Sequence, residues 1–409
     1  VTLPGARGLA AVLAVGVLAG GCGGAGRPGR GGGAAAGGAT RTVVDMRGVS
    51  VAVPRTPARV ATIDDGFVEG VMTRLGAIRT LVAVGSSSQQ RVWSYSYPSD
   101  TGSIPPVSEG MGTMRALHPW IADLPCASRT TGDAVNYETL AAARPDVVIA
   151  RVGDCTVGRR PETVARMAAV FDALTIPLVV LRSPTDFTGQ GTETLHAEIE
   201  LLGSVFGREN DARELSRELA AAEAAVRSRV ADVPIGERPR ALYLGLAAGA
   251  RTSGGAAYAW GTATAESWML EELAGARNAY RGPGSRVLLN AEQILALDPD
   301  LVFLPTSNGY HPAEELAQAP YFRELRALRA VRERRVYPLP WSPMNCARRL
   351  EYPIDLMIMA KGCHPERFRD VAVHAWVLDF YRRTYGVDDE RAAALRRAQW
   401  LEWTVDSGF

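Results

Sequence analysis

Aromatic rings and guanidinium groups recur together in this chain where regular patterning is weakest. Arg91, Trp93, Tyr95 and Tyr97 crowd one long turn-rich region, and Arg151 closes an apolar run. Tyr258 and Trp260 follow the pair Gly254-Gly255, while Trp341 and Arg348 lie just past a short strand-like segment among prolines. Guanidinium forks pair with anionic groups and aromatic faces stack on flat ones, so the set suits an anionic, partly planar small molecule. Turnover has no comparable signature. The chain holds no GxSxG elbow, no GxxxxGK[ST] phosphate loop and no HExxH pair. Its five histidines, His118, His196, His311, His364 and His374, are dispersed along the chain. No catalytic residue, resident cofactor or metal-ligand set is therefore expected.

The elements that could position these side chains alternate. A β-hairpin is predicted over Thr42 to Pro54, a strand over Arg59 to Ile63, a helix over Phe67 to Leu75 and a strand over Thr80 to Val84. Gly85 to Asp133 is long and turn-rich, which in a compact domain points to function. Helices over Tyr137 to Ala143 and Pro161 to Leu174 then alternate with strands over Asp146 to Ala150 and Pro177 to Leu181. That rhythm is the mark of a parallel sheet. Thr188 to Phe206 breaks it, because Leu195, Ile199, Leu202 and Val205 keep helical spacing and no strand follows directly. A further helix runs from about Asn210 to Val230, and strands return at Arg240 to Leu246, Leu301 to Leu304 and Arg335 to Pro338. Helices are expected at Leu350 to Lys361, Phe368 to Tyr385 and Asp389 to Trp403.

The simplest fold with this order is α/β: two Rossmann-like lobes, 41–187 and 207–409, joined by one long α-helix at 188–206. Ligands in open α/β sheets sit beyond the carboxyl ends of the strands. A cleft is thus expected between the lobes. Asp64, Asp65, Arg91 to Tyr97, Arg151 and Arg182 would face Arg251, Tyr258, Trp260, Tyr310, Trp341, Asn345, Arg348 and Arg349 across it.

Composition is that of a globular protein, with 47% hydrophobic and 22% charged residues. A formal net charge of +1 gives no general attraction to nucleic acid or an anionic surface. Arg7 and the apolar run Leu9 to Leu18 read as a secretory signal, too short to span a bilayer. Leu18-Ala19-Gly20-Gly21-Cys22 resembles a lipobox, with residues 1–22 as a lipoprotein signal ending at Cys22, which would become the lipid-modified first residue. Residues 23–40 are Gly/Ala-rich and read as a flexible tether to the membrane. Export allows disulfides, and Cys126–Cys155 and Cys346–Cys363 are the pairings that proximity suggests, others remaining open.

At this level the chain resembles the helix-linked class of ABC solute-binding proteins that serve ferric siderophores, haem and cobalamin. Thr42-Val43-Val44-Asp45-Met46-Arg47-Gly48 is similar to the opening hairpin of that family, and Pro57-Ala58-Arg59-Val60-Ala61 to its first strand. Tyr137-Glu138-Thr139-Leu140, then Arg144-Pro145-Asp146-Val147, matches the family's helix and Pro-Asp strand. Glu292-Gln293-Ile294-Leu295-Ala296-Leu297-Asp298-Pro299-Asp300 repeats that phrase in the second lobe. The resemblance implies binding without turnover and a small-molecule iron chelate or a corrinoid as ligand. It further implies an ABC permease dimer with its ATPase as partner and a place on the outer face of the cytoplasmic membrane. It also implies docking onto the permease through one acidic residue per lobe. Glu69 is the match in lobe one; Glu266, with Glu271 as alternative, is the match in lobe two. Direct binding of a metal ion or of haem is the competing expectation.

Overall fold

The computed structural model describes residues 39–128, 135–153, 157–158, 160–184, 191–246, 254–284, 286–305, 311–340 and 349–409. The signal with Cys22, nearly all of the tether, and Cys155, Trp341, Cys346 and Arg348 lie outside the described residues.

Lobe one opens with an antiparallel hairpin, β1 (Thr40–Val44) and β2 (Ser50–Pro54). The Asp45 carboxylate closes its turn by accepting from the Arg47 amide at 2.9 Å, and its other oxygen accepts from the Val180 amide at 3.0 Å. One side chain thus fixes the turn and fastens the hairpin to the sheet. There follow β3 (Val60–Ile63), α1 (Phe67–Arg74), β4 (Leu81–Ala83), β5 (Val92–Tyr95), β6 (Val107–Met111), α2 (Thr113–Leu117) and α3 (Tyr137–Ala142). The lobe ends with β7 (Val147–Val152), α4 (Pro161–Ala173) and β8 (Leu178–Arg182). Strands β8, β7, β3 and β4 form one parallel sheet in that order. Every residue of β3 and β7 is buried, as expected of parallel strands covered on both faces.

Two helices come next, α5 (Glu193–Phe206) and α6 (Glu209–Val230), separated by Gly207 in the left-handed region at φ 65°. Lobe two then has β9 (Arg240–Gly245), β10 (Ala257–Ala259), β11 (Val287–Leu289), α7 (Ala291–Leu297), β12 (Leu301–Leu304), α8 (Ala313–Gln318) and β13 (Val336–Pro338). Helices α9 (Tyr352–Cys363), α10 (Val373–Tyr385) and α11 (Asp389–Ala398) complete it. The sheet order is β11, β10, β9, β12, β13, with β9, β12 and β13 parallel. The antiparallel β10 and β11 were not anticipated; three residues each, they are too short to show alternation.

The repeated Pro-Asp phrase does the same work in both lobes. Asp146 accepts from the Ala58 amide at 2.8 Å, and Asp300 accepts from the Arg240 amide at 2.7 Å. Arg59 donates to the Ala143 and Arg144 carbonyls at the end of α3, and Arg240 donates to those of Leu297 and Asp298 at the end of α7. Arg144 and Asp298, each directly before the proline, have φ of 48° and 33°. A helix end, its cationic cap and the next strand are thereby locked together.

The link between lobes is α6, not 188–206. Gly207 ends α5, whose buried face stays on lobe one: Glu198 pairs with Arg151 of β7, and the Ser204 carbonyl accepts from Arg41. Helix α6 spans both lobes. Arg74 of α1 pairs with its Glu218 at 2.8 Å, while beyond its far end Arg367 pairs with Asp232 at 2.5 Å. Midway, Glu223 accepts from Thr192, at the start of α5, and from Tyr352, at the start of α9. One continuous apolar core covers the inner faces of both sheets through α1, α5, α6, α9 and α10, and separate clusters back each sheet on its other face.

Helix α6 is not the sole connection. The Trp400 indole donates to the Ser108 carbonyl at 3.0 Å and Gln399 to that of Met111 at 2.8 Å, so the chain after α11 returns to lobe one. In the other direction the β5–β6 excursion of lobe one reaches lobe two. Asp100 pairs with Arg326 at 2.6 Å, and the Tyr97 ring enters the outer core of lobe two. Cys126 and Cys363 are both free cysteines, so neither forms the disulfide that proximity suggested. No helix among the described residues is long and apolar enough to cross a membrane.

Candidate ligand cleft

The carboxyl ends of β3 and β4 deliver Asp64, Asp65, Ser86, Ser88 and Gln89 to the junction with lobe two. The loop after β13 returns to it at Arg349. Asp65 accepts from Ser88 and lies 3.7 Å from the Arg349 guanidinium. The Arg349 side chain passes over Gly66, where an added Cβ would come to 3.7 Å from its Nε. About 10 Å3 of space remains among Asp65, Gln89, Thr113 and Arg349, room for roughly one water. The lobes thus meet at a closed polar floor.

Burial dominates the electrostatics of that floor. Asp64 caps the start of α1, accepting from the Gly66 and Val68 amides at 3.0 and 2.7 Å. Burial raises the Asp65 carboxyl to about 6 although Arg349 opposes the rise. Glu69 is raised to about 8, first by burial and then by the Asp64 charge. Its carboxyl accepts from Thr62 and, at 3.1 Å, from Gln89.

Several expected site residues stand elsewhere. Arg151 has no exposed surface: it makes a two-pronged pair with Glu198 at 2.7 and 2.8 Å, and its guanidinium lies 4.0 Å above the Phe67 ring. Trp260 is buried against Tyr243 with ring centroids 5.3 Å apart, and its carbonyl holds Asn278. Both are packing residues. Tyr97 is likewise committed to the lobe-two core, with its hydroxyl donating to Gln318 at 3.3 Å. Glu69 is fully buried and Glu266 is 4% exposed, so neither presents a carboxylate for docking. Glu69 sits on the inward face of α1, which helical spacing alone did not distinguish from the outward one.

Arg91 is exposed and lies 5.8 Å from the Trp93 ring. Trp93 and Tyr95 are half-buried and pack on Trp400 with Met111; Tyr95 also meets His311 edge-on at 6.3 Å. Tyr258 is half-buried beneath Arg286 at 5.1 Å. The structure therefore brings Trp93 and Tyr95 together on Trp400, sets His311 against Tyr95, and leaves Tyr258 apart under its own arginine. Gln89, Thr113 and Glu351 belong to the floor but carried no motif in the sequence.

Two α/β lobes spanned by a helix, meeting at the carboxyl ends of their parallel strands, define a two-lobed receptor for a small solute. A model of the periplasmic binding protein family matches residues 118–342, and the chain belongs to that family. It is thus an extracytoplasmic binding protein that presents a small ligand to an ABC importer. Among solved structures, a periplasmic solute-binding protein of Veillonella parvula is 20% identical over 91% of this chain and 100% of its own, with a TM-score of 0.69. The molybdate-bound periplasmic protein of Haemophilus influenzae is 18% identical, over 85% of this chain and 98% of its own, with a TM-score of 0.59. A protein of an Fe3+-hydroxamate transport system from Saccharomonospora viridis is 19% identical over 79% of this chain and 98% of its own, with a TM-score of 0.53. No curated protein sequence matches the chain significantly.

Proposed function

We propose that this protein captures an iron chelate of the siderophore type, or a corrinoid, between its lobes and delivers it to an ABC permease with its ATPase. Cys22 would carry the lipid that keeps it on the outer face of the cytoplasmic membrane. The observations behind the ligand class are Arg349, held 3.7 Å from Asp65 where the lobes meet, and the paired, half-buried rings of Trp93 and Tyr95 on the same lobe-one excursion. An anionic chelate replaces the Asp65 carboxylate on Arg349, and flat chelating groups lie on the rings. The Fe3+-hydroxamate system of a structural neighbour supports the same class.

A thermal-shift series against ferric siderophores, haem, cobalamin and free metal ions tests the reading. A ligand bound by the native state raises the melting point in proportion to the logarithm of its excess over Kd. A ferric chelate or corrinoid is expected to do so. Stabilisation by free cations alone would replace this proposal with direct metal binding.

A further inference from the structure

The amino ends of the lobe-two strands, opposite the cleft, border an open pocket of about 580 Å3. Arg238 and Arg240 lie at the start of β9, Arg277 pairs in register with Arg240, and Arg335 directly precedes β13. Parallel strands that begin at one edge bring all four to one wall. Among the described residues none of the four pairs with a carboxylate. Instead Arg238 donates to the Glu271 carbonyl at 2.8 Å, Arg240 to that of Leu297 at 2.7 Å and Arg335 to that of Gly362 at 3.3 Å. Arg277 is exposed. Nearby arginines behave differently: Arg229 pairs with Asp370, Arg367 with Asp232 and Arg329 with Asp300. Asp300, Glu237 and Glu366 also border the pocket, but Asp300 is matched by Arg329 and the two glutamates are exposed at its rim.

Carbonyl acceptors fix a guanidinium without neutralising it, so its remaining N–H groups keep their charge and direction. Several such groups around one concavity form a fork-rich site for a compact, multiply charged oxyanion. We infer that lobe two carries a second binding site, remote from the cleft, for a phosphate- or pyrophosphate-type anion, held by Arg277 and Arg335 with Arg238 and Arg240 behind them. The same chemistry is offered by a free phosphate compound and by the headgroup of an anionic phospholipid.

Calorimetric titration of the full protein with inorganic pyrophosphate, at ionic strength matched with sodium chloride, is the test. One anion per chain is expected to bind. Arg277→Gln should weaken it about tenfold without moving the melting point, because that side chain is exposed and makes no side-chain bond among the described residues. Glu366→Gln should strengthen it by removing a rim charge. Binding no stronger than to chloride, or equal binding in wild type and Arg277→Gln, would overturn the inference. Vesicles of phosphatidylglycerol separate the sources: capture that pyrophosphate competes away assigns a headgroup, and pyrophosphate binding without capture assigns a free anion, both in support.

Discussion

Glu69 is a carboxyl group with no exposed surface, held between Thr62 and Gln89 and pushed to about 8 by burial and by Asp64. Below about pH 4.5, its ordinary value, folded and unfolded chains both keep the proton and stability does not depend on it. Above that value the unfolded chain releases the proton while the folded chain retains it, so stability falls as pH rises until about 8. Asp65 adds a smaller loss between 3.8 and about 6. Glu69→Gln keeps a neutral side chain in the same place and removes most of that slope. Urea unfolding should show the variant gaining roughly 3 kcal/mol over wild type between pH 5 and pH 8. Parallel curves for the two proteins would show that Glu69 is ionised in the fold. The family resemblance marked Glu69 as a docking contact; only the packing of α1 on Thr62 and Gln89 reveals its inward face.

Elements were far more legible than side-chain roles. The parallel strands of both lobes, the opening hairpin and the Pro-Asp phrase follow from apolar runs, prolines and one cationic cap per lobe, all local signals. What local signals could not carry was partnership. Alternating Trp93 and Tyr95 are the face of a strand, as alternation suggests, but the surface they cover comes from Trp400, more than three hundred residues later. Gly110 of β6 shows how tightly the two are fitted: a Cβ there would lie 2.3 Å from the Trp400 ring. Gly110→Ala must therefore displace the indole and break its bond to Ser108. A loss of about 1–3 kcal/mol is expected, together with a rise in Trp fluorescence quenching by iodide. An unchanged melting temperature would mean that the excursion adjusts without cost. In the same way, α5 and α6 were both read as helices; that α6 is the link depended on Gly207 and on ion pairs whose partners lie far along the chain.

At the scale of the molecule, the lobes are tied at α6, at the Trp400 contact and at Tyr97 and Asp100. Connections in both directions make wide opening costly, since each crossing buries apolar surface that opening would expose. Glu223 is the shared point, accepting from Thr192 on one side and Tyr352 on the other. Glu223→Ala strands both hydroxyls in partly buried surroundings and should cost about 1–3 kcal/mol. Small-angle scattering should show wild type changing little in radius of gyration on ligand binding, with Glu223→Ala more expanded when unliganded. Equal curves for both proteins would assign the stiffness to the apolar core alone.

The return of residue 400 to lobe one also sets an order of events during synthesis. The first lobe to be made is the last to be finished: its aromatic strand waits, apolar side uncovered, until nearly the whole polypeptide has emerged. Completion of the amino-terminal half is therefore coupled to arrival of the carboxyl-terminal end, and a chain halted before Trp400 would expose Trp93 and Tyr95 to whatever binds unfolded protein.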